Sequence, residues 1–195
     1  MSDSTAVRTP SQAYAEGVAA GRWRDDPAQH PALRELDRVQ RELLAATPTG
    51  LLARFGLGAR PAPVRGLYLW GGVGRGKTFL VDLFYDGLPL EQKQRTHFHR
   101  FMRGVHEQLR LHAGQSDPLA AIARQWRGTL RVLVLDEFFV TDIGDAMLLG
   151  RLLERLFAEG ITLVTTSNTA PQNLYKDGLQ RESFLPAIAQ LRQHC

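Results

Sequence analysis

The chain has 195 residues, of which 44% are hydrophobic and 23% charged, with a formal net charge of +4; this suits one globular domain with a sizeable core and excludes a disordered polyelectrolyte. No run approaches the roughly 18 uninterrupted apolar residues of a membrane span. The start lacks an apolar leader core and carries Asp3, Glu16, Asp25 and Asp26, so a cytoplasmic protein is expected, and Cys195 as the sole cysteine leaves neither an internal disulfide nor a cysteine-based metal site.

Residues 11–21 have the spacing of a helix with Tyr14 and Val18 on one face, stopped by Gly21. A polar linker, Arg22 to His30, offers Trp23 and Gln29 as base contacts, with packing of Trp23 on the first helix as the plainer alternative. Pro31 opens a second helix that turns Leu33, Leu36, Leu43 and Leu44 inward, and Thr47 to Arg65 is a loop rich in glycine and proline. Residues 1–65 thus form an N-terminal helical region and linker, ahead of a core over 66–195.

That core opens with the apolar run Leu67-Tyr-Leu-Trp70, then Gly71, Gly72, Val73, Gly74, Arg75, Gly76, Lys77 and Thr78, which fit the P-loop pattern without mismatch; Phe79, Leu80, Leu83 and Phe84 follow at helical spacing. Strand, loop and helix are the context this motif requires. The glycines let successive backbone N–H groups face phosphate oxygens, Lys77 would reach the outer phosphates, Thr78 would bind Mg²⁺, and the helix N-terminus adds its positive end.

Thr96 to Phe101 reads as a second strand with His97 and His99 on one face, followed by a helix through Val105 and Leu109. No cysteine or spaced carboxylate completes a zinc site there. Six arginines between Arg100 and Arg131 face only Glu107 and Asp117, making this the stretch best suited to a polymeric anion. Asp117 caps a helix with Leu119, Ile122, Ala123 and Trp126 inward.

Leu130 to Leu135 is a buried parallel strand ending in Asp136-Glu137. Carboxylates at such a strand end sit where open α/β sheets bind ligands; Asp136 would hold Mg²⁺ through water and Glu137 would orient and deprotonate the attacking water. A helix over Asp142–Glu159 carries Ile143, Met147, Leu152, Leu153, Leu156 and Phe157 inward. The strand Ile161–Thr166 ends in Ser167-Asn168, with Thr169 to Gln172 as a capping box and Asn168 free to face the γ-phosphate. Alternating strands and helices imply a three-layer α/β P-loop NTPase fold with a mainly parallel sheet. The residues after Asp136 do not fit a GTPase.

Four stretches, Leu67 to Thr78, His97 to Met102 with His106, Asp136 to Ile143 and Leu174 to Arg181, together with Asp26 to Gln29, closely resemble the ZapE-type ATPases of the AAA+ class. The resemblance implies ATP and Mg²⁺ as cofactors, Asn168 as a sensor, Arg181 as an arginine finger reaching a neighbouring copy in a homo-oligomer, and Gln29 beside the adenine. It also implies a protein partner, with the division-ring protein FtsZ as the bacterial family's substrate, and relatives in mitochondrial quality control. Phe139 stands where the family usually has Gln. Because the family continues beyond the position of Cys195 into a strand and a helical lid, the core is expected to be incomplete, with Leu67–Trp70 at an open sheet edge, weak ATP binding and slow turnover. Two other readings stay open: a helicase-loader-like protein on single-stranded nucleic acid, and a nucleotide-binding scaffold without turnover.

Overall fold

The computed structural model describes residues 7–46 and 63–195, so most of the loop expected between Thr47 and Arg65 lies outside the described residues. Four parallel strands form the sheet: β1 (Leu67–Trp70), β2 (Lys93–His97), β3 (Val132–Asp136) and β4 (Thr162–Ser167), in the order β1-β4-β3-β2. From β1 the chain crosses to the far edge and then steps back strand by strand. Right-handed crossovers in opposite directions put their helices on opposite faces, and the strand side chains alternate to match.

Val132, Val134 and Val164 face one layer. That layer consists of α1 (Pro10–Ala19), α2 (His30–Ala45) and α3 (Lys77–Gly87), which contribute Tyr14, Leu33, Leu36, Val39, Leu43, Leu80 and Phe84. Leu133, Leu135 and Leu163 face the other, built from α4 (Phe98–Leu111), α5 (Pro118–Arg127), α6 (Ile143–Ala158) and α7 (Leu185–His194). Each fully buried Leu or Phe contributes about 2 kcal/mol of burial free energy, and both faces carry many. The expected three-layer α/β fold is what forms. Among the described residues β1 pairs only with β4 and so is an edge strand of the sheet.

Local chemistry sets the element ends. Thr9 and Gln12 close a capping box at the start of α1, and Gly21 turns the chain away in a left-handed conformation (φ 67°). Trp23 is a packing residue: its indole N–H donates to the Tyr14 carbonyl (3.0 Å) and its ring meets Phe79 edge-on at 4.9 Å. In α2, Arg38 donates to the carbonyls of Arg65 and Gly66, which anchors the entry to β1. Asp117 caps α5 as expected, and Gly160 (φ 81°) stops the chain after α6.

Three local expectations fail. The second strand runs Lys93–His97 and not Thr96–Phe101: Phe98, Phe101, Met102 and Val105 recur at helical spacing and all are buried, so burying that stripe overrides a strand reading. His97 and His99 therefore share no strand face, although their rings stack across the strand–helix junction at 5.9 Å. No capping box forms at Thr169, because the next segment is only a short 3₁₀ turn, Pro171–Asn173, preceded by Ala170 with no side-chain cap. Ile143, expected inward, is 40% exposed at the first position of α6.

Candidate functional site

The C-terminal ends of β1, β3 and β4 lie side by side because these strands neighbour one another in the sheet. Between them is a cavity of about 490 Å³ lined by Val73, Gly74, Arg75, Gly76, Lys77, Thr78 and Phe79 from the loop after β1, by Glu137 after β3, and by Thr166, Ser167 and Asn168 at the end of β4. That volume falls within the usual range of small-molecule sites.

The loop has the backbone of a phosphate cradle. Gly74 and Gly76 are left-handed (φ 79° and 77°), a conformation that costs a residue with a Cβ about 1–2 kcal/mol. A Cβ at Gly72 or Gly74 would meet no protein atom within 4 Å, whereas one at Gly76 would lie 2.5 Å from the amide nitrogen of Gln29. Gln29, at the end of a 3₁₀ turn (Pro27–Gln29), donates to the Arg75 carbonyl (3.3 Å). The structure thus brings Gln29 against the loop, outside the lining of the cavity.

Lys77 opens α3 with its ammonium turned onto the loop. It donates to the carbonyls of Gly71 and Gly72 (2.8 Å each) and to Asn168 Oδ1 (3.1 Å), and burial lowers its pKa from the ordinary value. All three protons are engaged by acceptors with which a polyphosphate would compete.

At the end of β3 the chain turns sharply. Glu137 has φ 56°, which lets Phe138 bury completely while the Glu137 side chain stays 76% exposed. Hydrogen bonds to β4 hold this turn: the Glu137 N–H donates to Thr166 Oγ1 (3.1 Å), the Phe138 N–H to the Thr166 carbonyl (2.7 Å), and Ser167 Oγ to the Phe138 carbonyl (2.7 Å). A positive φ at a residue other than glycine costs about 1–3 kcal/mol, which this lattice sustains. His97 Nδ1 is 3.9 Å from Glu137 Oε2. Phe139, beyond the turn, is 61% exposed.

Asp136 is buried, and its carboxylate meets a partner that the sequence reading missed. Arg95 in β2 forks onto it, Nε to Oδ2 at 2.7 Å and Nη2 to Oδ1 at 3.3 Å, while Nη1 reaches Asp82 of α3. Alternation puts Arg95 and His97 on one strand face once β2 is placed correctly, but nothing along the chain pairs that face with Asp136. Thr78 and Asp136 are hard oxygen donors, and a hydroxyl and a carboxylate that complete their share of the shell through water suit Mg²⁺.

Arg181 lies apart. In the 3₁₀ turn Arg181–Phe184 its Nη2 donates to the Gln172 carbonyl (2.7 Å), its Nε is buried without a hydrogen-bond partner, and it does not line the cavity of its own chain. Among the arginines between Arg100 and Arg131, Arg103 and Arg110 rise along α4 with His99 and His106, interleaved with Glu107, Asp142 and Asp145. Asp117 pairs elsewhere, with Arg155. Among the described residues no helix is long and apolar enough to cross a membrane.

With this geometry in place, known proteins can be compared. A family model described as AFG1-like ATPase matches residues 8–195. The chain is 52% identical over 198 aligned positions to the cell division protein ZapE of Escherichia coli K12, an alignment covering 96% of this chain and 53% of that protein. The chain therefore spans about half the length of this curated relative. Among solved structures, AMPPCP-bound DnaA from Aquifex aeolicus superposes with a TM-score of 0.58 at 13% identity, covering 89% of this chain and 47% of that one. DnaI superposes with a TM-score of 0.57 at 19% identity, covering 87% and 83%. At such identities these two speak for the fold alone.

Proposed function

Since the chain belongs to the AFG1-like ATPase family and is of the ZapE type, we propose that its cavity binds ATP with Mg²⁺ and hydrolyses it to act on a protein partner. The observation that carries this reading is the convergence, in one cavity, of the P-loop from β1, Glu137 from β3 and Asn168 from β4.

In this mechanism the loop N–H groups and the α3 N-terminus receive the phosphates, and Lys77 leaves its carbonyl acceptors to neutralise the outer ones. Thr78 and Asp136 would hold Mg²⁺, which would supply neutralising positive charge beside the phosphates. Exposed beside the cavity, Glu137 accepts a proton from a water as that water attacks the γ-phosphorus and the bond to the bridging oxygen of ADP breaks. Asn168, held by Lys77, donates its amide hydrogens toward the γ-phosphate or the water. Gln29 borders the adenine end. Arg181, tied down away from its own cavity, serves the γ-phosphate of a neighbouring copy in a homo-oligomer.

The partner is a protein of the division machinery, with FtsZ as the choice that the ZapE resemblance supports, in the cytoplasm. Interleaving of acids with the α4 arginines supports a protein partner over single-stranded nucleic acid, which would need an unbroken basic track and exposed stacking rings.

The test is to measure ATP binding beside ATP hydrolysis, for the parent and for Glu137→Gln. That substitution keeps the shape and removes the base, so binding within about threefold of the parent with turnover reduced at least about 100-fold is expected. Hydrolysis by Glu137→Gln at the parent rate would remove the assignment, and a parent that binds but never turns over would leave a nucleotide-binding scaffold.

A further inference from the structure

Arg95 is the one cation on the Asp136 carboxylate among the described residues, and the fold explains how it comes to be there. Parallel register pairs Arg95 with Val134 and His97 with Asp136, and paired residues point to the same face of a sheet. Val134 belongs to the face covered by α1–α3. Arg95 and Asp136 therefore rise together beneath α3, where Asp82 stands one turn beyond Thr78.

The three side chains differ in their exposure. Arg95 is 18% exposed and Asp136 10%, whereas Asp82 is 46% exposed. A carboxylate as buried as Asp136 needs a counter-charge, and a two-pronged guanidinium is the geometry that satisfies both of its oxygens. Two carboxylates against one guanidinium still leave the group formally negative, so a metal is attracted to the site while its carboxylate ligand is held by an arginine. Removing the guanidinium strengthens that attraction; removing Asp82 weakens it and leaves Arg95 wholly to Asp136.

We propose that Arg95 is a positioning residue of the metal site: it is the built-in counter-cation of Asp136, and by competing with the divalent cation for that carboxylate it sets the metal concentration at which the site loads. The proposal rests on the reading of Asp136 as the residue that holds the metal. It gives Asp82 a role as well, since Asp82 draws the guanidinium toward α3 and so eases its release from Asp136.

Mn²⁺ alone is the probe, titrated into the nucleotide-free chain and followed by loss of its free electron paramagnetic resonance signal. Arg95→Gln should lower the Mn²⁺ half-saturation about five- to tenfold, and Asp82→Asn should raise it about two- to fivefold. Arg95→Lys keeps the charge but loses the two-pronged fork, so its midpoint should fall between those of Arg95→Gln and the parent. In an Asp136→Asn background, Arg95→Gln should have no further effect on the metal. A tie that only braces α3 against β3 would shift melting temperatures and leave all the Mn²⁺ midpoints together; that result, or an Arg95→Gln midpoint at or above the parent value, overturns the proposal. If Arg95→Gln fails to fold by circular dichroism, Asp82→Asn decides: a midpoint at or below the parent value overturns it. A parallel titration with a fluorescent ATP analogue separates the two readings. Should the parent bind no analogue while the Mn²⁺ midpoints move as stated, the nucleotide assignment falls and the role of Arg95 stands.

Discussion

Lys77 and Asn168 lie 91 positions apart in the chain and meet through a hydrogen bond of 3.1 Å from Nζ to Oδ1. The contact exists because β1 and β4 are neighbours in the sheet and end level with each other, Trp70 opposite Ser167. Asn168 comes one residue past that pair and Lys77 follows Trp70 after the intervening loop, so both reach the same cavity. Two different losses follow when the pair is broken. Lys77→Ala removes the cation that faces the outer phosphates and should weaken ATP binding at least about tenfold. Asn168→Ala leaves that cation in place and should keep the dissociation constant within about threefold while lowering kcat about tenfold or more. Equilibrium binding of a fluorescent ATP analogue beside steady-state hydrolysis distinguishes them; equal losses of affinity in both variants would make Asn168 a binding residue.

The position of Arg181 outside its own cavity leads to a mixing prediction. Arg181→Ala subunits should be inactive alone, because no copy supplies the finger, and Glu137→Gln subunits should be inactive because none supplies the base. Mixed, a Glu137→Gln subunit lends its intact Arg181 to the intact site of its neighbour, and turnover should reappear with a maximum at an intermediate ratio. No rescue at any ratio would remove the action in trans and leave Arg181 as the residue that braces Gln172.

Two glycines, one before β1 and one after it, should respond in opposite ways to alanine. At Gly66 a Cβ would lie 1.7 Å from the Leu163 carbonyl oxygen, a backbone atom of β4 that cannot rotate away. Gly66→Ala should therefore spread β1 from β4 and destabilise the fold by about 3 kcal/mol. At Gly72 a Cβ meets no protein atom within 4 Å, so Gly72→Ala should unfold within about 0.5 kcal/mol of the parent, and if phosphates approach the loop at this residue it should bind ATP more weakly. Denaturant melts and nucleotide titrations on both variants check the contrast; a Gly72→Ala chain with parent affinity would mean that the phosphates approach the loop elsewhere.

Alkaline pH should weaken the fold from one identifiable end of the sheet. Burial pushes the Cys195 thiol up from 9.0 to about 12, and the Tyr68 hydroxyl, which donates to the Thr169 carbonyl, up from 10.0 to about 12. Both pKa values are higher in the fold than in the unfolded chain. Their contribution is therefore complete below pH 9 and is lost as pH rises through the folded values near 12. Above pH 9 the unfolded chain sheds the thiol proton that the fold retains, costing about 1.4 kcal/mol per pH unit, with Tyr68 adding a similar slope above about pH 10. Urea melts at about pH 8, 9.5 and 10.5 should show this decline, and Cys195→Ser should flatten the part between about pH 9 and 10. An unchanged slope in that variant would assign the loss to other groups.

What the sequence determined by itself is what local chemistry dictates. A left-handed glycine, a lysine and a hydroxyl at fixed spacing specify the turn after β1 from within eight residues, and the apolar run ending in Asp136-Glu137 carries its own burial, so the P-loop, the strand-end carboxylates and the layered fold could be read before any coordinates. Asn168 was singled out because Thr169 was expected to cap a helix; that cap does not form, and Asn168 lines the cavity all the same. The errors fall where two periodicities compete over a few residues. Phe98 and Phe101 fall in the stretch read as a strand, and their packing against Phe138 and against Trp126 of α5 decided for α4. The fork of Arg95 on Asp136 is a different case. No pattern along the chain connects positions 95, 82 and 136, because their meeting depends on strand order and register, which set which strand lies beside which and which face each side chain takes. Strand order is a global result of packing both faces of the sheet at once, and so the counter-cation of Asp136 became visible only in the tertiary structure.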